Sequence, residues 1–350
     1  MTSEQRISAF IQLGTEIRNT FHSETAQNNI RQQQLLQISE RMHHSNGWFT
    51  FENTQLALLG IANMLEESTI RSWWNAIEHE FPTEKLQSVG VIMAGNIPAV
   101  GFHDFMCILL SGNCVSAKLS SDDLVLIPAL AAMLCAIEPE FTSRINFTQE
   151  RLPKIDAIIA TGSNNSSRYF EYYFSKYPNI IRKNRTSVAV LTGAESRAEL
   201  SALGQDIFRY FGLGCRNVSF LYVPNDFKPD SFYEAIEGWN VLSLHQKYLN
   251  NYEYSKAIYL VNAVPHFDNN FLLLREDDSL HSPLAVIHFK RYENMDALKM
   301  ELDAKQDQIQ CIVASPLTGL SNIEFGNSQN PGPADYADQI DTMKFLANLP

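Results

Sequence analysis

Of the side chains able to form a covalent intermediate, Cys215 stands in the most permissive setting. The run Phe211-Gly-Leu-Gly-Cys-Arg-Asn217 places it between a predicted helix, Ala198 to Phe211, and a predicted strand, Val218 to Val223. Glycines on both sides of Leu213 let the chain turn sharply and let a bulky substrate approach the sulfur. Arg216 next to it could favour the thiolate, if its side chain turns the same way. The same run also reads as a helix C-cap followed by a small buried residue, and the motif alone leaves both readings open. Cys107, Cys114, Cys135 and Cys311 lie inside apolar runs and read as packing residues.

Three further places could do chemistry. Thr161-Gly162-Ser163-Asn164 follows a strand and opens a helix, so its backbone N–H groups could seat a phosphate, although such a turn can also be just a turn. Lys118 ends a strand, where a cation could hold a ribose or phosphate oxygen; by itself such a residue is more often a surface lysine. His103-Asp104 could be an acid–base pair, but neighbours on a helix face different ways, and His103 among Phe102 and Phe105 reads as a hydrogen-bonded structural residue. His43-His44 reads as part of a polar loop, and His266, His281 and His288 show no metal spacing, so no metal site is expected. Tyr169, Phe170, Tyr172, Tyr173 and Phe174 read as core and helix packing. Trp73-Trp74 reads the same way, with an oligomer contact as the other option.

The elements that must position these residues follow from patterning. At 350 residues, with about 150 per domain, two domains are expected. The first eighty or so residues read as helices. Gln32 to Ile38 and Leu56 to Leu65 carry apolar residues at three- and four-residue spacing, with Asn53 or Thr54 as a cap, and Asn28 to Glu40 suits a solvated helical arm. From Ser88 on, short β-branched runs alternate with helical ones. Strands at Ser88 to Ala94, Cys114 to Leu119, Arg144 to Phe147 and Ile155 to Ala160 flank helices through Leu110, at Leu124 to Ile137 behind a Ser120-Ser121-Asp122 cap, and at Ser166 to Tyr177. A second stretch repeats the alternation from Val188, with a helix at Phe232 to Trp239 and strands at Phe271 to Leu274, Leu284 to Phe289 and Cys311 to Ala314. This is an α/β chain built of βαβ units on parallel sheets, whose sites gather beyond the carboxyl ends of strands.

Composition narrows the class. Lys+Arg 27 against Asp+Glu 39 gives a net charge of −12, which argues against a dedicated nucleic-acid binder. Five cysteines with no C-x-x-C pair argue against a disulfide framework and a structural zinc site. No apolar run reaches the ~18 residues of a membrane span, and no signal peptide is visible, so a cytoplasmic location is expected.

Taken together, Met93-Ala-Gly-Asn-Ile-Pro98, Ala117-Lys-Leu-Ser-Ser121, Ala160-Thr-Gly-Ser163 and Gly212-Leu-Gly-Cys215 occur in the order of aldehyde dehydrogenase signatures. More closely, Gly95 to Phe105 with Leu109-Leu-Ser-Gly-Asn113 and Gly214-Cys-Arg-Asn-Val-Ser219 resembles the LuxC-type acyl-CoA reductases, over about residues 85 to 345. The resemblance implies an aldehyde-dehydrogenase-like fold. A helical N-terminal region and Rossmann-like NAD(P)-binding domain would span 1–185, a catalytic thiol domain 186–317, and a C-terminal oligomerisation tail 318–350 would return to the cofactor domain or a dimer contact.

The resemblance also implies roles. Cys215 would attack an acyl thioester, and Asn96 with the Cys215 N–H would cradle the oxyanion, a donor typically worth about 3 kcal/mol. Lys118, Ser121, Thr161, Gly162 and Ser163 would hold the dinucleotide. Where hydrolytic relatives carry a glutamate base, Ile181-Arg-Lys-Asn-Arg-Thr-Ser187 has no carboxylate, which favours reduction over hydrolysis. Ser121 stands where the superfamily has an acid that suits a free 2′-hydroxyl, pointing to NADPH with NADH still possible. Ser279-Leu-His-Ser-Pro283 replaces the superfamily's E-I-F-G-P and lacks its leading glutamate. The expected activity is reduction of a long-chain acyl-CoA or acyl-carrier thioester to the aldehyde by a homo-oligomer (dimer or tetramer), with an acyltransferase or synthetase as a possible partner. The alternatives are a CoA-acylating short-chain aldehyde dehydrogenase and a catalytically weak acyl-transfer or scaffold subunit.

Overall fold

The computed structural model describes residues 1–22, 29–81, 86–162, 164–320 and 323–350. The chain divides into two compact units, Met1–Asn184 with Pro331–Pro350, and Arg185–Asn330. Among the described residues no helix is long and apolar enough to cross a membrane.

The first unit opens with helices α1 (Ser3–His22), α2 (Ile30–Ser45), α3 (Phe51–Met64) and α4 (Glu67–Ile77). On α1, Ile7, Phe10, Leu13 and Ile17 recur at helical spacing and are all buried, forming one stripe of the core. Gly14 lies on this helix where a Cβ would come within 2.7 Å of Leu65 Cβ, so glycine permits the close crossing. The solvated-arm reading of Asn28 to Glu40 needs correction. Leu35 and Met42 of α2 are buried in the same core, and Gln32 and Ser39 are buried as well. His43 and His44 fall in the last turn of α2 rather than in a loop. The cap of α3 is Thr50, whose hydroxyl accepts the Asn53 N–H at 3.2 Å; Asn53 and Thr54 already lie inside the helix.

Five parallel strands follow: β1 (Ser88–Ile92), β2 (Cys114–Lys118), β3 (Ile145–Thr148), β4 (Ala157–Thr161) and β5 (Asn179–Arg182), in the order β3-β2-β1-β4-β5. The connecting helices are α5 (Phe102–Leu110), α6 (Leu126–Ile137) and α7 (Asn164–Phe174). The strand order reverses between β1 and β4, which opens a crevice at their carboxyl ends. Helix α6 starts two residues later than the pattern suggests, because the capping carboxylate is Asp123 rather than Ser120-Ser121-Asp122: its Oδ1 accepts the Leu126 N–H at 3.1 Å. On α7, Phe170 and Phe174 pack on the sheet, but Tyr169, Tyr172 and Tyr173 are exposed, contrary to a wholly packed cluster. An (i, i+4) pair faces the sheet, and the tyrosines between them point elsewhere. Trp73 and Trp74 are core residues, Trp73 donating to the Tyr336 hydroxyl at 3.2 Å.

The C-terminal helix α12 (Thr342–Ala347) belongs to this first unit. Arg182, at the end of β5 and 3% exposed, forms a two-pronged ion pair with Asp104 on α5 and donates to the Thr342 hydroxyl at 3.0 Å. His103 donates through Nε2 to the Pro333 carbonyl at 2.9 Å, a structural bond rather than an acid–base pair with Asp104.

The second unit carries a six-stranded sheet in the order β11-β6-β7-β10-β9-β8, parallel except for the β8–β9 pair. Its strands are β6 (Thr186–Val190), β7 (Val218–Pro224), β8 (Phe267–Asp268), β9 (Leu273–Glu276), β10 (Val286–Tyr292) and β11 (Ile309–Ala314). Helices α8 (Arg197–Phe208), α9 (Asp230–Ile236), α10 (Gln246–Val261) and α11 (Met295–Ala304) complete it. A capping box of Ser196 and Glu199 starts α8. The predicted helix at Phe232 to Trp239 starts earlier and ends at Ile236, where the chain tightens into a 3₁₀ segment through Leu244.

Candidate active site

In the first unit, the sheet's register brings several expected binding residues to one edge. Ile92 pairs with Lys118 on one side and with Ala160 on the other, so the segments after β1, β2 and β4 emerge together. Asn96 in the turn after β1 is exposed, Lys118 at the end of β2 is half-buried, Ser121 is exposed, and Thr161 and Gly162 after β4 are half-buried. Ser163 lies outside the described residues.

Two contacts shape that edge. A Cβ on Gly95 would lie 2.5 Å from Ser120 Oγ, so the turn carrying Asn96 rests directly on the turn after β2, and only glycine allows it. Asp123, missed as a site-shaping residue in the sequence, ties the two together. Besides capping α6, its Oδ2 accepts the Ala99 N–H at 2.8 Å, where Ala99 holds a left-handed φ of 53°. Its burial pushes the carboxyl up from the ordinary range, against the pull of those N–H donors. The only sequence signal was a second aspartate beside Asp122.

Cys215 belongs to the second unit. The preceding helix ends at Phe208, three residues before the predicted end, because Tyr210 and Phe211 adopt left-handed φ angles of 53° and 58°. Gly212 follows with φ 81°, as glycine readily does. Consecutive bulky residues in this region are uncommon and need support. Both rings are buried, and Phe211 packs 4.2 Å from the His245 ring. Burial pushes the Tyr210 hydroxyl up to about 12.

The reversed chain presents Cys215 on an exposed turn. Its carbonyl accepts from the buried Ser187 hydroxyl of β6 at 2.9 Å. The Gly214 N–H donates to Asn217 Oδ1 at 2.8 Å, and the Asn217 N–H returns to the Gly214 carbonyl at 3.0 Å. Arg216 Nη1 lies 3.4 Å from both Cys311 Sγ and the Ser328 carbonyl. The other thiols are differently placed. Cys107 and Cys311 are buried, Cys114 and Cys135 half-buried, and burial pushes the Cys107 and Cys114 thiols up, which disfavours their thiolates.

A cavity of about 290 Å³ adjoins this turn. Gly212 and Leu213 form one wall, Phe208, Phe211 and Tyr248 supply aromatic surface, and His281 brings a polar group from the Ser279-to-Pro283 stretch. The arrangement combines an accessible thiol on a fixed backbone with an apolar recess that Gly212 and Leu213, earlier in the same turn, help to line.

A family model for the acyl-CoA reductases called LuxC matches residues 6–239, a span that takes in both the β1–α5 turn and Cys215. The chain belongs to the LuxC acyl-CoA reductase family. No curated protein sequence matches it. Similar solved structures are aldehyde dehydrogenases. Aldehyde dehydrogenase 21 from Physcomitrella patens, in complex with its reaction product succinate, shares 10% identity at TM-score 0.67, covering 99% of this chain and 84% of that one. The indole-3-acetaldehyde dehydrogenase of P. syringae, in complex with NAD+, shares 11% identity at TM-score 0.65, covering 93% and 76%. Lactaldehyde dehydrogenase from Escherichia coli shares 12% at TM-score 0.62, covering 93% and 81%. At such identities the likeness is one of fold. This LuxC-family chain is therefore an oxidoreductase of thioester and aldehyde chemistry on an aldehyde-dehydrogenase-like fold.

Proposed function

We propose that the protein reduces a fatty acyl-CoA, or an acyl-carrier thioester, to the aldehyde with NADPH, through an acyl-enzyme on Cys215. The observation that carries this reading is the exposed Cys215 on its fixed turn, whose Gly212 and Leu213 line an apolar cavity. The Cys215 thiolate attacks the thioester carbonyl, the C–S bond to the carrier breaks, and the carrier thiolate leaves to take up a proton. The family resemblance assigns Asn96 the role of oxyanion donor.

The dinucleotide is assigned to the carboxyl edge of the first sheet. The donors there suit an anionic group: the Lys118 ammonium, the Thr161 hydroxyl and the backbone around Gly162, with Ser163 included on the resemblance. Ser121, in place of an acid, leaves a 2′-phosphate unopposed at that position. When bound, the reduced dinucleotide supplies the hydride that releases the acyl group as aldehyde. The chain's own contribution to reduction over hydrolysis is a missing base. The stretch 181–187 has no carboxylate, and Arg182 within it is taken up by the buried pair with Asp104.

Mass spectrometry of protein incubated with a long-chain acyl-CoA tests the reading. Wild type should gain one acyl mass and Cys215→Ala none; labelling that persists in the variant overturns it. A second reading, a CoA-acylating dehydrogenase for short aldehydes, is favoured by the cavity, whose 290 Å³ falls just below the ~300–1,000 Å³ usual for ligand sites. NADPH and NADH oxidation rates across an acyl-CoA series separate the two. Turnover peaking at short chains selects the second.

A further inference from the structure

The carboxamide of Asn217 is engaged at both ends. Its Oδ1 holds the N–H of Gly214, the residue before Cys215, at 2.8 Å. Its Nδ2 lies 3.0, 3.2 and 2.9 Å from the carbonyl oxygens of Asp206, Ile207 and Arg209. An amide offers only two N–H protons, so three short contacts mean that these are shared among converging acceptors. Those carbonyls belong to the last turn and C-cap of α8, the groups a helix leaves without internal partners. They also form the negative end of the helix dipole. Tyr210 and Phe211 turn the chain away there, so the helix does not continue past these carbonyls.

The clamp is anchored on its far side too. The buried Asp206 carboxylate accepts the N–H groups of Gly326 and Ser328 at 2.6 and 2.8 Å, fixing the end of α8 independently of Asn217. Asn217 itself is 3% exposed, so water does not substitute for its bonds.

We propose that Asn217 is a positioning residue for Cys215: it fixes the backbone of the nucleophile turn and covers the carbonyl end of α8, screening the thiolate two residues away from that negative charge. This rests on the reading of Cys215 as the nucleophile. Aspartate at 217 keeps the shape and the acceptor for Gly214, but loses the donors and sets a carboxylate against three carbonyls. Alanine removes both functions. The titratable and charged groups around the turn are Asp206 and Arg209 of α8, Arg216 of the turn, His245 and Tyr248 behind Phe211, His281 across the cavity and Cys311 of β11; both substitutions leave these unchanged.

The test is the pH profile of Cys215 alkylation by iodoacetamide in the full chain, read by peptide mass spectrometry so that the other four cysteines are followed separately. Asn217→Asp should raise the midpoint by about one pH unit or more, with about tenfold slower alkylation near neutral pH. Asn217→Ala should slow acylation by acyl-CoA and raise the midpoint by less. Leu298→Ala, in the core of α11, serves as a control of comparable loss in melting temperature and should leave the midpoint where it was. A wild-type midpoint in Asn217→Asp, or an equal shift in Leu298→Ala, overturns the proposal. Should the aspartate variant not fold, the same comparison with Asn217→Ala decides it. If wild-type Cys215 takes no acyl group yet the profiles shift as described, the positioning role stands and the reductase reading falls. If it is acylated and no profile moves, the reverse holds.

Discussion

The two sheets bring their reactive residues to the surface by different means. In the first unit, the segments bearing Asn96, Lys118 and Thr161 arrive at one edge because β1, β2 and β4 pair in parallel register. That placement is shared among many backbone bonds, with the Asp123 carboxylate adding one tie between the turns after β1 and β2. In the second unit, Cys215 lies before its strand begins and owes its place to a helix stopped by two left-handed aromatic residues and to the side chains of Asn217 and Ser187. Placement by register resists substitution, whereas placement by a clamp can be undone at one residue.

The first unit nevertheless has one point at which that resistance should break. Asp104→Ala leaves the Arg182 guanidinium buried and unpaired, and should cost about 3–5 kcal/mol in a urea-unfolding experiment. The double substitution Asp104→Leu with Arg182→Met should recover most of the loss. A neutral single variant would show that the tail and β5 do not depend on this pair. Next in size is Gly95→Ala, which sharpens the contrast by testing a tight backbone approach at the sheet edge. With Ser120 Oγ 2.5 Å from the new Cβ, a loss of about 1–3 kcal/mol is expected, with weaker dinucleotide binding by fluorescence titration. Unchanged affinity would mean that register alone sets the edge.

The smallest effect lies in the second unit. Burial holds the His288 imidazole below its ordinary 6.5, with Nδ1 donating to the Ser279 carbonyl at 2.9 Å. The unfolded chain takes up that proton more readily. The stability His288 contributes is therefore present above about pH 6.5 and is lost as pH falls through the lower folded value. Wild type should lose more stability than His288→Gln between about pH 7.5 and about pH 5.5, by about 1 kcal/mol or less, in paired thermal melts. Parallel curves would remove His288 from the account.

Much of the architecture was legible because strands β1, β2, β4, β6 and β7 are short apolar runs between turn residues, and α5 and α6 are apolar along their length. Helix α10 escaped notice because its buried positions are Tyr248, Tyr252, Ser255 and Tyr259, which carry helical spacing without an aliphatic stripe. The end of α8 was overrun for a related reason: Tyr210 and Phe211 extend the apolar pattern while their backbone leaves the helix. Cys215 could be singled out from its glycines. The residues that hold it could not, since Asn217 and Ser187 act through carbonyls and N–H groups that have no sequence signature. Asp123 was hidden beside Asp122, and only tertiary contact tells the capping residue from its neighbour.

The return of residues 331–350 to the first unit has a consequence for how the protein is made. The unit spanning 185–330 is continuous in the chain and can complete its fold while synthesis is still under way. The first unit emerges earlier but is finished later, because Pro333, Tyr336 and Thr342, the partners of His103, Trp73 and Arg182, follow the second unit in the chain. During that interval Arg182 and Asp104 have each other but not the segment that covers them. Of the two units, the one that starts to emerge earlier is thus the one completed later.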